Sequence, residues 1–439
     1  MKYHFIGIGG IGMSALARIL LQKGEEVSGS DVSTSYYTEK LQKEGAKVFH
    51  SHGKENIKAG SRVIYSTMIA EKNPEFQKAN ELKLEILHRS DLLTELSSGS
   101  KALYVAGTHG KTTTTALLAA VFVQAKLDPS FAIGGMLGNT TNGKWGKGEY
   151  FILEADESDG SLLKGKPFGA IVTNIEKEHL DYWKTEENLE IGFQEFCQKV
   201  EIKELLFWCK DDPYLRLMSP KGTSYGTHQD ADLKITSFRQ EGFRIYFTIT
   251  FEGKIYKDLS LPLIGFHNVL NAAAVMGLSL KLNIPEAVIR AAFYDFPGIG
   301  RRMEYLGSKI GIDFFDDYAH HPTEIATTLN GLKQAIGQRR LVAVFQPHRY
   351  TRAKDLFHEF TNAFVSADLV VVTDIHAAYE TPIPGITGQA LYQEISKIQP
   401  AIFIPRSELD MSLLHYLSPN DLVITLGAGD ITNLGRKMV

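Results

Sequence analysis

The stretch Gly107-Thr108-His109-Gly110-Lys111-Thr112 carries the most specific chemistry in this chain. It puts a lysine and a threonine on a glycine loop, followed at once by Thr113 and a helix-forming run. Backbone N–H groups at a helix start can hold phosphate oxygens. A lysine there neutralises charge moving onto the β- and γ-phosphates, and a threonine hydroxyl can ligate Mg²⁺. Val105 stands where the first glycine of the full G-x-x-x-x-G-K-[ST] pattern would fall. The physics survives that change, because the helix start, Lys111 and Thr112 remain.

A second loop, Gly7-Ile8-Gly9-Gly10-Ile11-Gly12, matches G-x-G-x-x-G between an apolar strand and a helix. Glycines let the backbone approach a pyrophosphate, and the helix N-terminus stabilises its charge. Asp31, about twenty residues on, ends the next strand and can take ribose hydroxyls. This loop indicates a nucleotide diphosphate without saying which nucleotide. Two such loops imply a triphosphate to be cleaved and a second nucleotide-bearing molecule. A plain dehydrogenase needs no Gly-Lys-Thr loop, and a simple ATPase needs no second loop. An NAD-dependent oxidoreductase remains the alternative of a different class, but it leaves Lys111 unexplained.

Two acidic stretches follow buried strands. Glu154-Ala-Asp-Glu-Ser-Asp159 comes after the strand 150–153, and Asn174-Ile-Glu-Lys-Glu-His179 after the strand 170–173. Carboxylates at strand C-termini lie beside the nucleotide crevice of an open α/β sheet. Glu154 and His179 can therefore both approach the phosphates, where Mg²⁺ takes few protein ligands. Further on, His348, Arg349 and Arg352 follow the strand 341–345. The arginines can grip a carboxylate or phosphate through two parallel hydrogen bonds. His320-His321-Pro322 invites a metal reading, but neighbouring residues on an extended chain point opposite ways, and zinc needs more ligands.

The elements that must carry these residues follow a βαβ rhythm. Strands are expected at 3–6, 27–31, 103–106, 150–153, 170–173, 311–315, 341–345, 369–372, 401–404 and 422–425. Helices are expected from Ile11 to about Lys23, from Thr112 to about Ala125, and from about Val269 to Leu282. Residues 233–263 change texture: Phe243-Arg-Ile-Tyr-Phe-Thr-Ile249 runs into a Glu252-Gly253 turn, which predicts antiparallel strands. Ser97 to Ser100 reads as a linker, and Phe296-Pro-Gly-Ile-Gly300 as a second break and hinge. The chain thus divides into three α/β domains, 1–96, 97–297 and 298–439. The first and last are Rossmann-like, and the central one is P-loop ATPase-like with some antiparallel strands.

Composition agrees. The 439 residues suggest about three domains, and 44% apolar residues can fill their cores. Lys plus Arg total 47 against 51 Asp plus Glu, which argues against non-specific nucleic-acid binding. No run approaches the roughly 18 apolar residues of a membrane span. Two cysteines, Cys197 and Cys209, cannot build a disulfide framework. A reducing, cytoplasmic setting is expected.

Over essentially its whole length the chain resembles the Mur ligases, the ATP-dependent amide-forming enzymes of peptidoglycan synthesis. The stretches that carry the resemblance are 5–14, 107–113, 154–159, Asp316-Asp-Tyr-Ala-His-His-Pro322 and Phe345-Gln-Pro-His-Arg-Tyr-Thr-Arg352. The resemblance implies coupling of L-alanine to the carboxylate of UDP-N-acetylmuramate through an acyl phosphate. A related ligase that adds a tripeptide to the same sugar is the alternative within the family. ATP would be the co-substrate, with Mg²⁺ held by Thr112, Glu154 and His179. The ATP site would comprise Gly107 to Thr113, Asn268, Asn271, Arg302 and Asp317. Gly9, Gly10, Ile11, Gly12, Asp31 and Ser66 would meet the UDP-substrate. Tyr318, His320, His348, Arg349 and Arg352 would face the amino acid. Lys111, Glu154, His179, His320, His348 and Arg352 are the expected catalytic groups, with His320 or His348 as candidate base for the amine. Glu178-His179 stands where the family usually has Asp-His. The stretch 188–196 lacks the lysine that several relatives carbamylate, so no such residue is assigned.

Overall fold

The computed structural model describes residues 1–138, 140–378 and 380–439, and the side chains of all of these except Leu180 and Asp181. Two compact units emerge. One holds residues 1–237, 248–259 and 270–296, the other 238–247, 260–269 and 297–439.

The first unit opens with a five-stranded parallel sheet. Its strands lie in the order Lys47–Phe49, Glu26–Ser30, Lys2–Ile6, Ser61–Tyr65 and Ile86–His88. The strand order reverses on either side of Lys2–Ile6, the point at which open α/β sheets bind ligands at their C-terminal strand ends. The first glycine loop leaves that strand and enters the helix Ile11–Gln22, within which Met13 to Leu20 are buried.

A ten-stranded sheet follows. From Leu233–Glu241 the order runs through Thr223–Gly226, Leu206–Cys209, Gly169–Val172, Lys101–Ala106, Tyr150–Glu154 and Ser130–Leu137, all parallel. Its middle strands are buried on both faces, which is why they read as unbroken apolar runs. Thr141–Lys144 pairs antiparallel at one edge. At the other edge Arg244–Phe251 and Lys254–Leu261 follow through two-residue turns, as the Glu252-Gly253 signal predicts. The lysine-bearing loop links Lys101–Ala106 to the helix Lys111–Gln124.

In the second unit six strands lie in the order Glu304–Lys309, Ile312–Asp317, Leu422–Leu426, Leu341–Phe345, Leu369–Val372 and Ala401–Phe403. All pairs are parallel except the first. The helix Pro322–Ile336 buries Ile325, Leu329 and Leu332 in the core on one face of this sheet.

Several elements went unannounced in the sequence. The strands Ser130–Leu137 and Thr141–Lys144 contain Gly134, Gly135 and Gly143, which suggest loop. Gly143 is required by packing instead: a Cβ there would lie 2.4 Å from the carbonyl of Ala15. The expected linker at Ser97 is the last turn of the helix Arg89–Ser97, and the next strand starts at Lys101. Among the described residues no helix is long and apolar enough to cross a membrane.

Arg18, an oddity in an apolar helix, lies fully buried against this edge hairpin. Its Nε donates to Glu44 at 2.6 Å and its Nη1 to Asn142, while Nη2 has no partner. Asn142 also donates to the Ile11 carbonyl at 2.8 Å and to Ser14 Oγ at 3.0 Å. One buried amide thus fixes the glycine-loop helix to the strand beside Gly134. Asn142→Ala leaves the arginine with a further unmet donor, and the expected cost is about 3 kcal/mol, read as a lower urea midpoint for the first unit. A change below about 0.5 kcal/mol would show that this staple does not hold the helix in place.

Candidate active site

The lysine-bearing loop is fastened to the end of the neighbouring strand Gly169–Val172. Thr108 N–H donates to Asn174 O at 3.0 Å, and His109 N–H to Asn174 Oδ1 at 2.8 Å. Asn174 Nδ2 and Thr173 Oγ1 donate back to the His109 carbonyl at 3.0 and 2.6 Å. Thr108 Oγ1 accepts from Glu176 N–H at 2.8 Å, and His109 Nε2 lies 3.1 Å from Glu176 Oε2. Two glycines allow this approach. Gly107 has φ +130°, and a Cβ there would stand 2.1 Å from Thr173 Oγ1. Gly110 has φ +83°, with the Asn271 amide oxygen 2.9 Å from its Cβ position. Asn271, on the helix Phe266–Lys281, is thereby placed beside the loop.

Lys111 turns back into its own loop. Its Nζ donates to the Thr108 carbonyl at 3.1 Å and to both oxygens of Glu157, at 2.8 and 2.9 Å. Burial lowers the lysine's pKa, but Glu157 and Asp156 outweigh it and the net shift is upward. Burial pushes Glu157 up, against the pull of Lys111. Asp156 goes the other way: Arg89 and Lys111 overcome its burial and hold the carboxyl well below the usual range. Glu157 was not singled out among the acidic residues in the sequence, because nothing there says which carboxylate faces the lysine.

Thr112 Oγ1 donates to Glu154 Oε2 at 3.2 Å, and the backbone N–H of Gly134 holds Glu154 Oε1. A hydroxyl and a steered carboxylate side by side are hard oxygen donors of the kind Mg²⁺ prefers. His179 has φ +57°, and its Nε2 lies 3.9 Å from Glu157 Oε1 and 3.7 Å from Glu178 Oε2.

At the first glycine loop the N–H groups of Gly7 and Ile8 donate to the Ser30 carbonyl, which bends the chain back over its neighbour strand. Gly10 caps the helix, and Gly12 lies in its first turn. Ser66 closes an adjacent turn by accepting from Ile69 N–H at 2.9 Å. Asp31 faces the loop itself, accepting from Gly9 N–H at 2.9 Å and from the Ser33 N–H and hydroxyl at 3.1 Å.

The second unit gathers its own cluster at strand C-termini. Buried Asp317 accepts from the N–H groups of Met303 at 2.7 Å and Ala319 at 2.8 Å. Burial pushes its carboxyl up to about 6, against the pull of Arg302. Arg302 lies over the Tyr318 ring at 5.2 Å and 3.9 Å from Glu324. The paired histidines separate: His321 caps the helix Pro322–Ile336, while His320 Nδ1 lies 2.9 Å from the Tyr318 carbonyl. Asn268 Nδ2 donates to Ile264 O at 2.8 Å.

His348 stacks on His376 at 5.4 Å and meets His320 edge-on at 6.1 Å. Burial, helped by His320 and Arg352, lowers His348 to about 3. A neutral ring with so weak a conjugate acid is a poor acceptor for an ammonium proton. Arg349 N–H donates to His376 O at 2.9 Å, and its guanidinium approaches Glu380 at 3.7 Å. Arg352 is one turn on in the helix Tyr350–Asp355.

Comparison with known proteins gives a match along most of the chain. Residues 2–101 match the Mur ligase family catalytic domain, 105–279 the Mur ligase middle domain, and 301–429 the Mur ligase glutamate ligase domain. A UDP-N-acetylmuramate–L-alanine ligase of Protochlamydia amoebophila is 48% identical over 99% of this chain and 97% of its own length. One of Geotalea uraniireducens is 40% identical over 100% and 97%. Among solved structures, a UDP-N-acetylmuramate-alanine ligase from Thermotoga maritima superimposes with a TM-score of 0.87 at 28% identity, covering 100% of this chain and 98% of its own.

Asp317 makes a pH signature. Its folded pKa of about 6 exceeds the unfolded value of about 3.9. The stabilisation it gives is full below pH about 4 and lost as pH rises through about 6. Asp317→Asn should therefore gain on the parent protein by about 3 kcal/mol as the pH rises across that window, in denaturant melts of both. A difference that does not vary with pH would reject the buried, proton-loving carboxyl.

Proposed function

The chain belongs to the Mur ligase family, and we propose that it joins L-alanine to the carboxylate of UDP-N-acetylmuramate at the expense of ATP, in peptidoglycan precursor synthesis. Two phosphate loops in one compact unit carry this reading, and the likeness to L-alanine ligases along the whole chain supplies the substrates. We read residues 1–96 as the UDP-substrate domain, 97–297 as the ATP domain and 298–439 as the amino-acid domain.

Gly9 to Gly12 and Ser66 cradle the UDP diphosphate. Asp31 shapes that loop through Gly9 and takes the ribose when it turns outward. Gly107 to Thr113 wrap the ATP phosphates, with Asn271 beside them at the adenine. Thr112, Glu154 and His179 would hold Mg²⁺, and the steered Thr112–Glu154 oxygens fit that ion. When bound, Mg²⁺ neutralises phosphate oxygens as charge moves.

A carboxylate anion is a poor electrophile. Transfer of the γ-phosphoryl group makes it an acyl phosphate, the amine attacks the acyl carbon, and phosphate leaves with the C–O bond. Lys111 moves its charge from Glu157 onto the transferring oxygens. Arg349 and Arg352 hold the amino acid's own carboxylate, and Tyr318, His320 and His348 line its amine side. Positioning and charge stabilisation do most of the work. His320, backed by Glu324 at 3.6 Å, is the better candidate for receiving the amine proton.

The test is phosphate release from ATP with UDP-N-acetylmuramate and, in turn, L-alanine, glycine, L-serine or a tripeptide. L-Alanine should give the highest kcat/KM, and a preference for tripeptide would move the chain to the related ligase. Silence with every acceptor rejects the ligase assignment. Lys111→Ala should lower turnover by about a hundredfold or more.

A further inference from the structure

Arg89 opens the helix Arg89–Ser97 and lies between the two phosphate loops of the first unit. Its Nη2 donates to Asp156, and Asp159 Oδ2 stands 3.5 Å away. About four-fifths of the side chain is buried, at 22% exposure. Burial weakens the charge, but Asp156 and Asp159 outweigh it and hold the guanidinium firmly ionised. Among the described residues Asp156 is the one hydrogen-bond acceptor of this guanidinium, so the Nε–H and both Nη1 hydrogens are uncommitted.

That uncommitted edge has a direction. A Cβ placed on Gly12, in the first turn of the glycine-loop helix, would lie 3.5 Å from Arg89 Nη1. Beside it, His88 Nε2 and Asp159 Oδ2 face each other at 3.6 Å, both buried and neither hydrogen-bonded. Asp159 is nine-tenths buried, at 9% exposure. Buried polar atoms are almost always paired, so His88 Nε2 and Asp159 Oδ2, unpaired beside the open edge of Arg89, mark a site that a ligand completes. Asp156 anchors one end of the fork, and the other end meets the glycine surface from which the helix N–H groups also point. Should Arg89 move toward a ligand, Asp159 keeps His88 as a donor within reach.

We propose that Arg89 is an anion ligand of the UDP-sugar site, its Nη1 edge taking oxygens that the substrate brings against Gly12. This rests on the reading of the first loop given above. Those oxygens belong either to the diphosphate or to the lactyl carboxylate that becomes the acyl phosphate. Both match the planar fork of an arginine, which a lysine reproduces only as a point charge.

Titration calorimetry on the full chain tests it, with UDP-N-acetylmuramate, UDP-N-acetylglucosamine (which lacks the lactyl carboxylate), UDP and ADP as probes. Arg89→Ala should weaken UDP-N-acetylmuramate by about 10- to 100-fold and leave ADP within twofold. Arg89→Lys should fall between. A parallel loss for all three uridine compounds places Arg89 on the diphosphate; a loss confined to UDP-N-acetylmuramate places it on the carboxylate. Unchanged affinity for all three overturns the proposal, and so does an equal loss for ADP, which would mean a purely structural arginine. If Arg89→Ala does not fold, Arg89→Gln keeps the length without the charge and is read the same way. Failure of the unmodified protein to bind UDP-N-acetylmuramate would instead sink the ligase reading beneath.

Discussion

One buried ion pair organises the first unit. Lys111 faces Glu157 through both carboxylate oxygens in a site where neither side chain is well hydrated. Removing water from two charges costs several kcal/mol per ion, and good geometry returns it only when every remaining polar atom is satisfied. Here the loop carbonyl of Thr108 takes a further lysine proton, and Trp183 Nε1 holds the Glu157 carbonyl at 2.9 Å. The lysine is therefore charged and held in place by the protein itself, and on the proposed reading phosphate oxygens would compete with a carboxylate for it. Because burial raises Glu157, that carboxylate takes up a proton more readily than an ordinary one would once its partner leaves.

The same economy of charge runs along the acidic loop. Glu154, Asp156 and Glu157 leave one strand end within four residues, and each has a different companion: Thr112 and Gly134, Arg89, and Lys111. Three carboxylates this close repel one another, and separate partners hold them apart. Those partners come from three places: the helix after the strand Lys101–Ala106, the strand Ser130–Leu137, and the helix after the strand Ile86–His88. The fold's contribution to chemistry is to bring elements from two sheets to one acidic loop.

Much of this was legible in the sequence. The glycine loops, the βαβ rhythm and the Glu252-Gly253 turn follow from local rules that the chain obeys, and the strands 341–345 and 369–372 begin and end where their apolar runs do. What escaped was set by distant contacts. Gly134 and Gly143 look like loop residues, but one offers its N–H to Glu154 and the other leaves room for Ala15. Arg89 sits in an unremarkable polar stretch, and only the fold brings Asp156 to it across 67 positions. The lowered basicity of His348 likewise comes from its burial, helped by four cationic or imidazole neighbours scattered along the chain.

The two glycines of the lysine-bearing turn leave little latitude for change. Any side chain at 107 collides with Thr173 Oγ1, any at 110 crowds the Asn271 amide, and both positions hold a backbone that other residues adopt only under strain. A compound that gripped this turn through its main-chain N–H groups would contact atoms that substitution cannot readily remove. Escape from such an inhibitor by mutation would have to arise elsewhere on the surface it touches.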